Sequence, residues 1–188
     1  MSQQEIFTQA LQERILFLDG AMGTMIQGYS LLEDDFRGNR FKDHVSELRG
    51  NNDLLSITRP ELIKQIHTEY LEAGADILKT NTFNSTAIAQ ADYNLSELAY
   101  ELNVAGATLA REAISAYNKK NSRPCWVAGI IGPTNRTASI SPNVEDAGFR
   151  AVTFDDLFDD YSQSIKGLYD GGVDIMLIET IFDTLNAK

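Results

Sequence analysis

Two acids close short apolar runs in this chain: Asp19 after Ile15-Leu16-Phe17-Leu18, and Glu179 after Ile175-Met176-Leu177-Ile178. A carboxylate placed where water is scarce is costly unless a cation pairs with it. For Glu179 that cation is either a structural Arg or Lys or one delivered by a ligand. Two such acids on separate strand ends favour the ligand. Asp19 is followed by Gly20-Ala21-Met22-Gly23-Thr24, where glycines let backbone N–H groups come close to a bound molecule. The arrangement suits a zwitterion, with Asp19 for its ammonium group and the amides for its carboxylate. The other reading is a tight turn in which Asp19 caps its own amides. The spacing is neither the Gly-x-Gly-x-x-Gly of a dinucleotide site nor the Gly-Lys-Ser/Thr of a phosphate loop.

Asn81-Thr82, after Ile77-Leu78-Lys79-Thr80, and Gly132-Pro133-Thr134-Asn135-Arg136-Thr137, after Trp126 to Ile131, either bond a substrate or hold their own loops. His44 and His67 are too far apart in pattern for a metal pair, and His67 reads as a helix-packing residue. Cys125, the one cysteine, reads as a small buried hydrophobe at a strand start. It cannot form an internal disulfide or a thiolate metal site by itself. No Ser-His-Asp set, Cys-His pair or histidine-rich metal motif can be assembled. The residues therefore describe an anionic pocket for a small cationic or zwitterionic ligand, without the groups that would transform it.

The elements that must carry these residues alternate. Four apolar runs, at 15–18, 77–81, 126–132 and 175–179, read as strands buried on both faces. Helical patterns lie between them. Thr58 with Glu61, and Asn94 with Glu97, are candidate capping boxes, Thr153 is a third cap, and Gly74 and Gly171 are candidate ends. The pieces Gly74-Ala75-Asp76-Ile77 and Gly172-Val173-Asp174-Ile175 repeat one helix-to-strand junction. Regular strand–helix alternation implies an α/β fold of parallel strands with right-handed crossovers. The even spacing favours a (β/α)8 TIM barrel over a doubly wound sheet, and such a barrel takes about 250 residues. Residues 1–188 are thus expected to form one partial domain, the first half of that barrel, with four parallel strands and flanking helices. The stretch 28–59 breaks the spacing and reads as a long loop on the active rim or as a plain solvated insertion.

At 188 residues and 43% hydrophobic content the chain can bury a sizeable core. The net charge of −11, without a basic run, disfavours nucleic-acid binding. No run is long enough to cross a bilayer and no charged-then-apolar leader opens the chain, so it is expected to be cytoplasmic and off the membrane.

The same stretches resemble the homocysteine S-methyltransferase family over nearly the whole chain. Ile15 to Thr24 resembles the family's first strand and turn. Asp35-Phe36-Arg37-Gly38, Gly50-Asn51-Asn52-Asp53-Leu54-Leu55, Thr80 to Thr86, Gly132 to Ser139 and Glu179 to Thr184 resemble its cobalamin-dependent, methionine-forming branch. The resemblance implies transfer of a methyl group from methylcobalamin, itself remethylated by 5-methyltetrahydrofolate, to homocysteine bound on zinc. It implies homocysteine as partner, with folate-binding and cobalamin-binding modules later in the parent chain. It places Asp19 and Glu179 on the substrate ammonium and amides near Gly20 on its carboxylate; Asn81 is a substrate-binding candidate by its position at the end of the second run. Ala21 stands where the family commonly has a second glycine, and Lys79 where an acidic residue is often found. The family's three zinc cysteines come from later strands, so this chain is expected to bind no catalytic zinc or cobalamin and to transfer no methyl group alone. A cobalamin-independent homocysteine methyltransferase and a binding-only module are the competing functions. Open strand edges lead to an expectation of self-association.

Overall fold

The computed structural model describes residues 3–188 and builds the expected parallel layer from three strands, β1 (Ile77–Lys79), β2 (Trp126–Ile131) and β3 (Ile175–Ile178), in that order. Ile77 pairs with Trp126 and Ala128 with Ile175. The α/β class holds. The fourth strand, expected at 15–18, is reduced to one parallel bridge between Leu18 and Ile77. Its amides still follow a parallel ladder: Asp76 and Ile77 donate to the Phe17 carbonyl at 2.8 and 3.1 Å, and Asp19 donates to the Ile77 carbonyl at 2.9 Å. Among the described residues no helix covers the outer face of this edge. Ile15 and Phe17 stay 78% and 62% exposed, so burial does not extend the pairing.

The helices are α1 (Gln3–Glu13), α2 (Met22–Gln27), α3 (Glu33–Arg37), α4 (Leu55–Thr58), α5 (Pro60–Glu72), α6 (Ala87–Gln90), α7 (Ala99–Asn118) and α8 (Phe154–Asp170). α5, α7 and α8 are the crossovers that lead into successive strands. α8 starts as read: the Thr153 hydroxyl accepts from the Asp156 amide at 3.1 Å, and the Asp156 carboxylate accepts from the Thr153 amide at 2.8 Å. α5 does not. Thr58 is the last residue of α4 and donates its hydroxyl to the Leu54 carbonyl at 3.3 Å. Arg59 takes the cap at φ −136°, ψ 54°, because the ring of Pro60 keeps the residue before it out of helical geometry. Asn94 likewise caps nothing on α7. It ends a 3-10 turn at φ 56° and donates its amide to Ser46 at 2.6 Å, while a second 3-10 turn, Ser96–Leu98, leads into α7.

Strand parity sorts the core into two layers. Leu78 and Val127 pack outward on Leu71 of α5 and on Ala110, Ala113 and Ile114 of α7. Ile77, Trp126 and Ala128 face the other way, onto Ala10, Phe7 and Ile6 of α1 together with Ile175 and Leu177. The Phe7 ring meets Trp126 edge-on, centroids 5.1 Å apart. α1 therefore closes the inner face of the sheet from below.

The stretch 28–59 is not a solvated insertion. Phe36, Leu48, Leu54 and Leu55 are buried in one cluster with Ile63, Ile66, Leu98 and Leu102. Arg37 donates to the carbonyls of His44 and Ser46 at 2.6 and 2.9 Å, and Asp35 pairs with Arg59 at 2.6 Å. The excursion is closed by polar ties and filled by apolar side chains, which lets it hold a shape beside the carboxyl end of β1.

Candidate functional site

In a parallel sheet the carboxyl ends of all strands share one rim, and there Asp19, Lys79, Asn81 and Glu179 meet. Lys79 lies two residues past Ile77, and Glu179 two past Leu177. Both side chains therefore leave the sheet on the α1 side, above the apolar layer. The Lys79 ammonium donates to the Glu179 carboxylate at 3.0 Å, with side chains 19% and 34% exposed. Lys79 also donates its backbone amide to one oxygen of Asp19 at 3.0 Å. One residue thus touches both acids, by its side chain and by its main chain. Glu179 has its cation in the protein itself, and the ligand-supplied cation is not needed to balance it in this state.

Asp19 differs. It is buried, and its second carboxylate oxygen finds no hydrogen-bond partner among the described residues. Burial pushes its pKa up to about 7, the Lys79 amide and ammonium oppose that rise, and the charge of Glu179 adds to it. A carboxyl group poised at neutral pH, with one bare oxygen, can accept a proton or an ammonium group. Thr180, directly after Glu179, holds φ 65°, an unfavourable conformation for a β-branched residue, and turns the chain sharply at the rim.

Gly20 and Asn81 are on the rim, but their visible contacts hold the fold. A Cβ on Gly20 would lie 2.8 Å from the Tyr70 hydroxyl, so the glycine admits that ring. Asn81 donates to the Asn52 carbonyl at 2.8 Å and to Ser56 at 3.3 Å, fastening β1 to the excursion. Thr82 donates to the Ile130 carbonyl at 2.9 Å. Asn135 and Arg136 both reach Asp92. Buried Asp53, which accepts from the Asn84 amide at 2.6 Å and the Ser85 hydroxyl at 2.7 Å, joins the same two segments, a role its place in the Gly50–Leu55 motif did not disclose. The Asn-Asn-Asp run was noticed only for its family resemblance. Its partners, some thirty residues on, were not legible.

The opposite rim carries two aspartates with arginine partners. Asp76 binds Arg14 and Arg123 at 2.8 and 2.7 Å, and Asp174 binds Arg111 at 2.7 Å. Cys125 sits there too, at the start of β2, buried and with its thiol pKa raised by that burial. Among the described residues no group of three His, Cys, Asp or Glu could hold a metal ion. The donor set present does not fit zinc. An apolar groove between α8 and residues 178–188, lined by Phe158, Ile165, Ile178 and Phe182, adjoins the site through Glu179, which is on its wall, while Asp19 and Lys79 are not. Among the described residues no helix is long and apolar enough to cross a membrane.

The family model described as homocysteine S-methyltransferase matches residues 16–188. Among solved structures, the metallated form of the homocysteine methyltransferase MmuM from Escherichia coli is similar at TM-score 0.70 and 24% identity, over 94% of this chain and 57% of that one. The oxidised form gives TM-score 0.70 at 26% identity, over 94% and 56%. The apo form gives 0.63 at 22%, over 94% and 53%. The chain thus spans a little over half the length of these structures.

Proposed function

Because the chain belongs to the homocysteine S-methyltransferase family, we propose that it is the first half of a (β/α)8 barrel whose carboxyl rim holds homocysteine by its amino-acid end. The carrying observation is Asp19, a buried carboxyl group with one bare oxygen beside the Lys79–Glu179 pair. An arriving ammonium group stabilises the ionised form of Asp19, so the ligand supplies the charge that burial disfavours. Glu179, paired with Lys79, borders it, and the amides around Gly20 are assigned to the ligand carboxylate. Asn81 keeps the excursion docked so that this rim stays assembled.

We further propose that the parent protein is a cobalamin-dependent methionine synthase, which transfers a methyl group from methylcobalamin, regenerated from 5-methyltetrahydrofolate, to homocysteine. Support comes from the excursion, where Asp35, Arg37 and Asn52 belong to the stretches that resemble that branch and also build its ties. Zinc supplies thiol activation in this chemistry, and the residues described here do not hold it, so this chain alone transfers no methyl group. The likeness to MmuM, a homocysteine methyltransferase, supports methylation of homocysteine and leaves a cobalamin-independent donor as the second reading. Assay of the full gene product with methylcobalamin against sulfonium and betaine donors separates the two. For the site itself, calorimetry with L-homocysteine is the test: Asp19→Asn removes the heat of binding, and binding that survives the change refutes the assignment.

A further inference from the structure

Glu179 carries a cation tethered to the same chain, Asp19 keeps a bare buried oxygen, and Lys79 connects them through its own two donors. A ligand ammonium approaching Asp19 therefore meets a fixed positive charge already seated on the neighbouring acid. Like charges at close range in a partly buried site repel, and an unpaired charge built against a wrong partner is a common route to specificity. A ligand that also carries a carboxylate can offset that repulsion by offering its anion to the lysine. An amine without a carboxylate cannot.

We propose that Lys79 is a specificity-determining residue of this site: seated on Glu179, it admits zwitterionic α-amino acids and rejects simple amines of the same length. This rests on the reading of the rim as an amino-acid site. The geometry that supports it is local to this chain. Lys79 pairs in register with Ala128 of β2, and Ala128 pairs with Ile175 of β3, so a small side chain lies between the lysine and the β3 side. Further toward the rim Ile130, paired with Leu177, stands on the same face, and the lysine reaches past that level to Glu179 beyond the end of β3. Its stem is largely covered, which limits the rotamers available once the pair forms.

The test is calorimetry of the chain with L-homocysteine and with 3-aminopropane-1-thiol, the same skeleton lacking the carboxylate. Lys79→Met keeps an unbranched side chain one atom shorter and removes the charge. It is expected to raise affinity for the amine at least tenfold and to narrow the preference for homocysteine by a similar factor. Adding Glu179→Gln to Lys79→Met is expected to erase that gain, because the freed acceptor is then gone. Lys79→Arg keeps the charge and is expected to reject the amine while still binding homocysteine, a pattern that loss of folding cannot mimic. Amine affinity that fails to rise in Lys79→Met, including no measurable amine binding by any variant, overturns the proposal. Homocysteine binding that ignores Asp19→Asn overturns the amino-acid reading instead, so the two failures are distinguishable.

Discussion

Asp76 and Asp174 hold the same posture at the amino ends of β1 and β3: the Asp76 carboxylate accepts the Phe17 amide at 3.0 Å, and the Asp174 carboxylate accepts the Val127 amide at 2.8 Å. Each follows a glycine at positive φ, Gly74 at 107° and Gly172 at 88°. The aspartate carries the ladder one step past the strand, and an arginine neutralises it. Asp76 has two, Arg14 and Arg123, which together with the Phe17 amide hold its pKa down to about 2 against the effect of burial. Removing one member of a buried charge cluster costs about 3–5 kcal/mol, so Asp76→Ala is expected to lower stability by that order, and Asp174→Ala by less. The wild-type contribution is complete above the ordinary value of 3.8 and is lost as pH falls toward 2, because a carboxyl whose folded pKa is depressed must be protonated there. Urea titrations of both variants at pH 7 and pH 3 check the order and the pH window.

Asp19 has the opposite sign. Its folded pKa lies near 7, above the ordinary 3.8, so between those values the folded chain retains a proton that the unfolded chain releases. Stability therefore falls as pH rises through that window, and the full cost is present above 7. Asp19→Asn keeps an acceptor for the Lys79 amide and removes the charge. It is expected to be more stable than wild type by on the order of 2 kcal/mol above pH 7, with the difference vanishing near pH 4. Melting temperatures across that range test it. An acid that lowers stability where it stands fits the ligand-binding role proposed for it, since a site and its scaffold commonly conflict in this way.

His67 is fully buried in α5, and neither ring nitrogen has a hydrogen-bond partner among the described residues. Burial alone depresses its pKa from 6.5 to about 4. Between those values the unfolded chain binds a proton that the folded chain refuses, so this residue costs stability as pH drops from 6.5 toward 4. His67→Leu fills a comparable volume and leaves no unpaired nitrogen. It is expected to gain about 1–2 kcal/mol at pH 7 and more at pH 5. A variant that is less stable at both values would show instead that the imidazole makes a bond its surroundings conceal.

Much of this was readable because it is local. The runs closed by Lys79-Thr80, Ile131-Gly132 and Glu179 became strands, the junction repeated at Asp76 and Asp174 became two equivalent corners, and Thr153 with Asp156 capped α8. The errors arose where a neighbour decided. Thr58 fits a capping box on paper, but α4 runs up to it and Pro60 forces the cap onto Arg59. Ile15 to Leu18 has strand composition, yet only its Leu18 end is pinned to β1. α1 went unread although Ile6, Phe7 and Ala10 repeat at helical spacing, because its buried face is defined by Trp126, far along the chain. At the site, both acids were legible from the runs they close. The choice between a structural cation and a ligand for Glu179 depended on where the Lys79 side chain goes, and strand parity alone put it on the right face without fixing its partner.

Among the described residues β3 pairs only with β2, and its other edge lies beside exposed Met176 and Ile178, at 38% and 57%. On α8, Phe158 is 63% and Ile165 39% exposed, so apolar surface continues from the edge onto the helix. A strand edge with unused N–H and C=O groups and apolar side chains on either side is a template for another chain. The isolated chain is therefore expected to self-associate, with mass by light scattering rising from the micromolar range upward. Ile178→Lys places a charge on the outward side of the edge without touching the inward Leu177, so it should shift the distribution toward monomer at unchanged helical content. If the wild type stays monomeric at high concentration, the edge is already protected. If Ile178→Lys associates as strongly as wild type, contact runs through the 15–18 edge instead, where Ile15 and Phe17 are the exposed residues to change next.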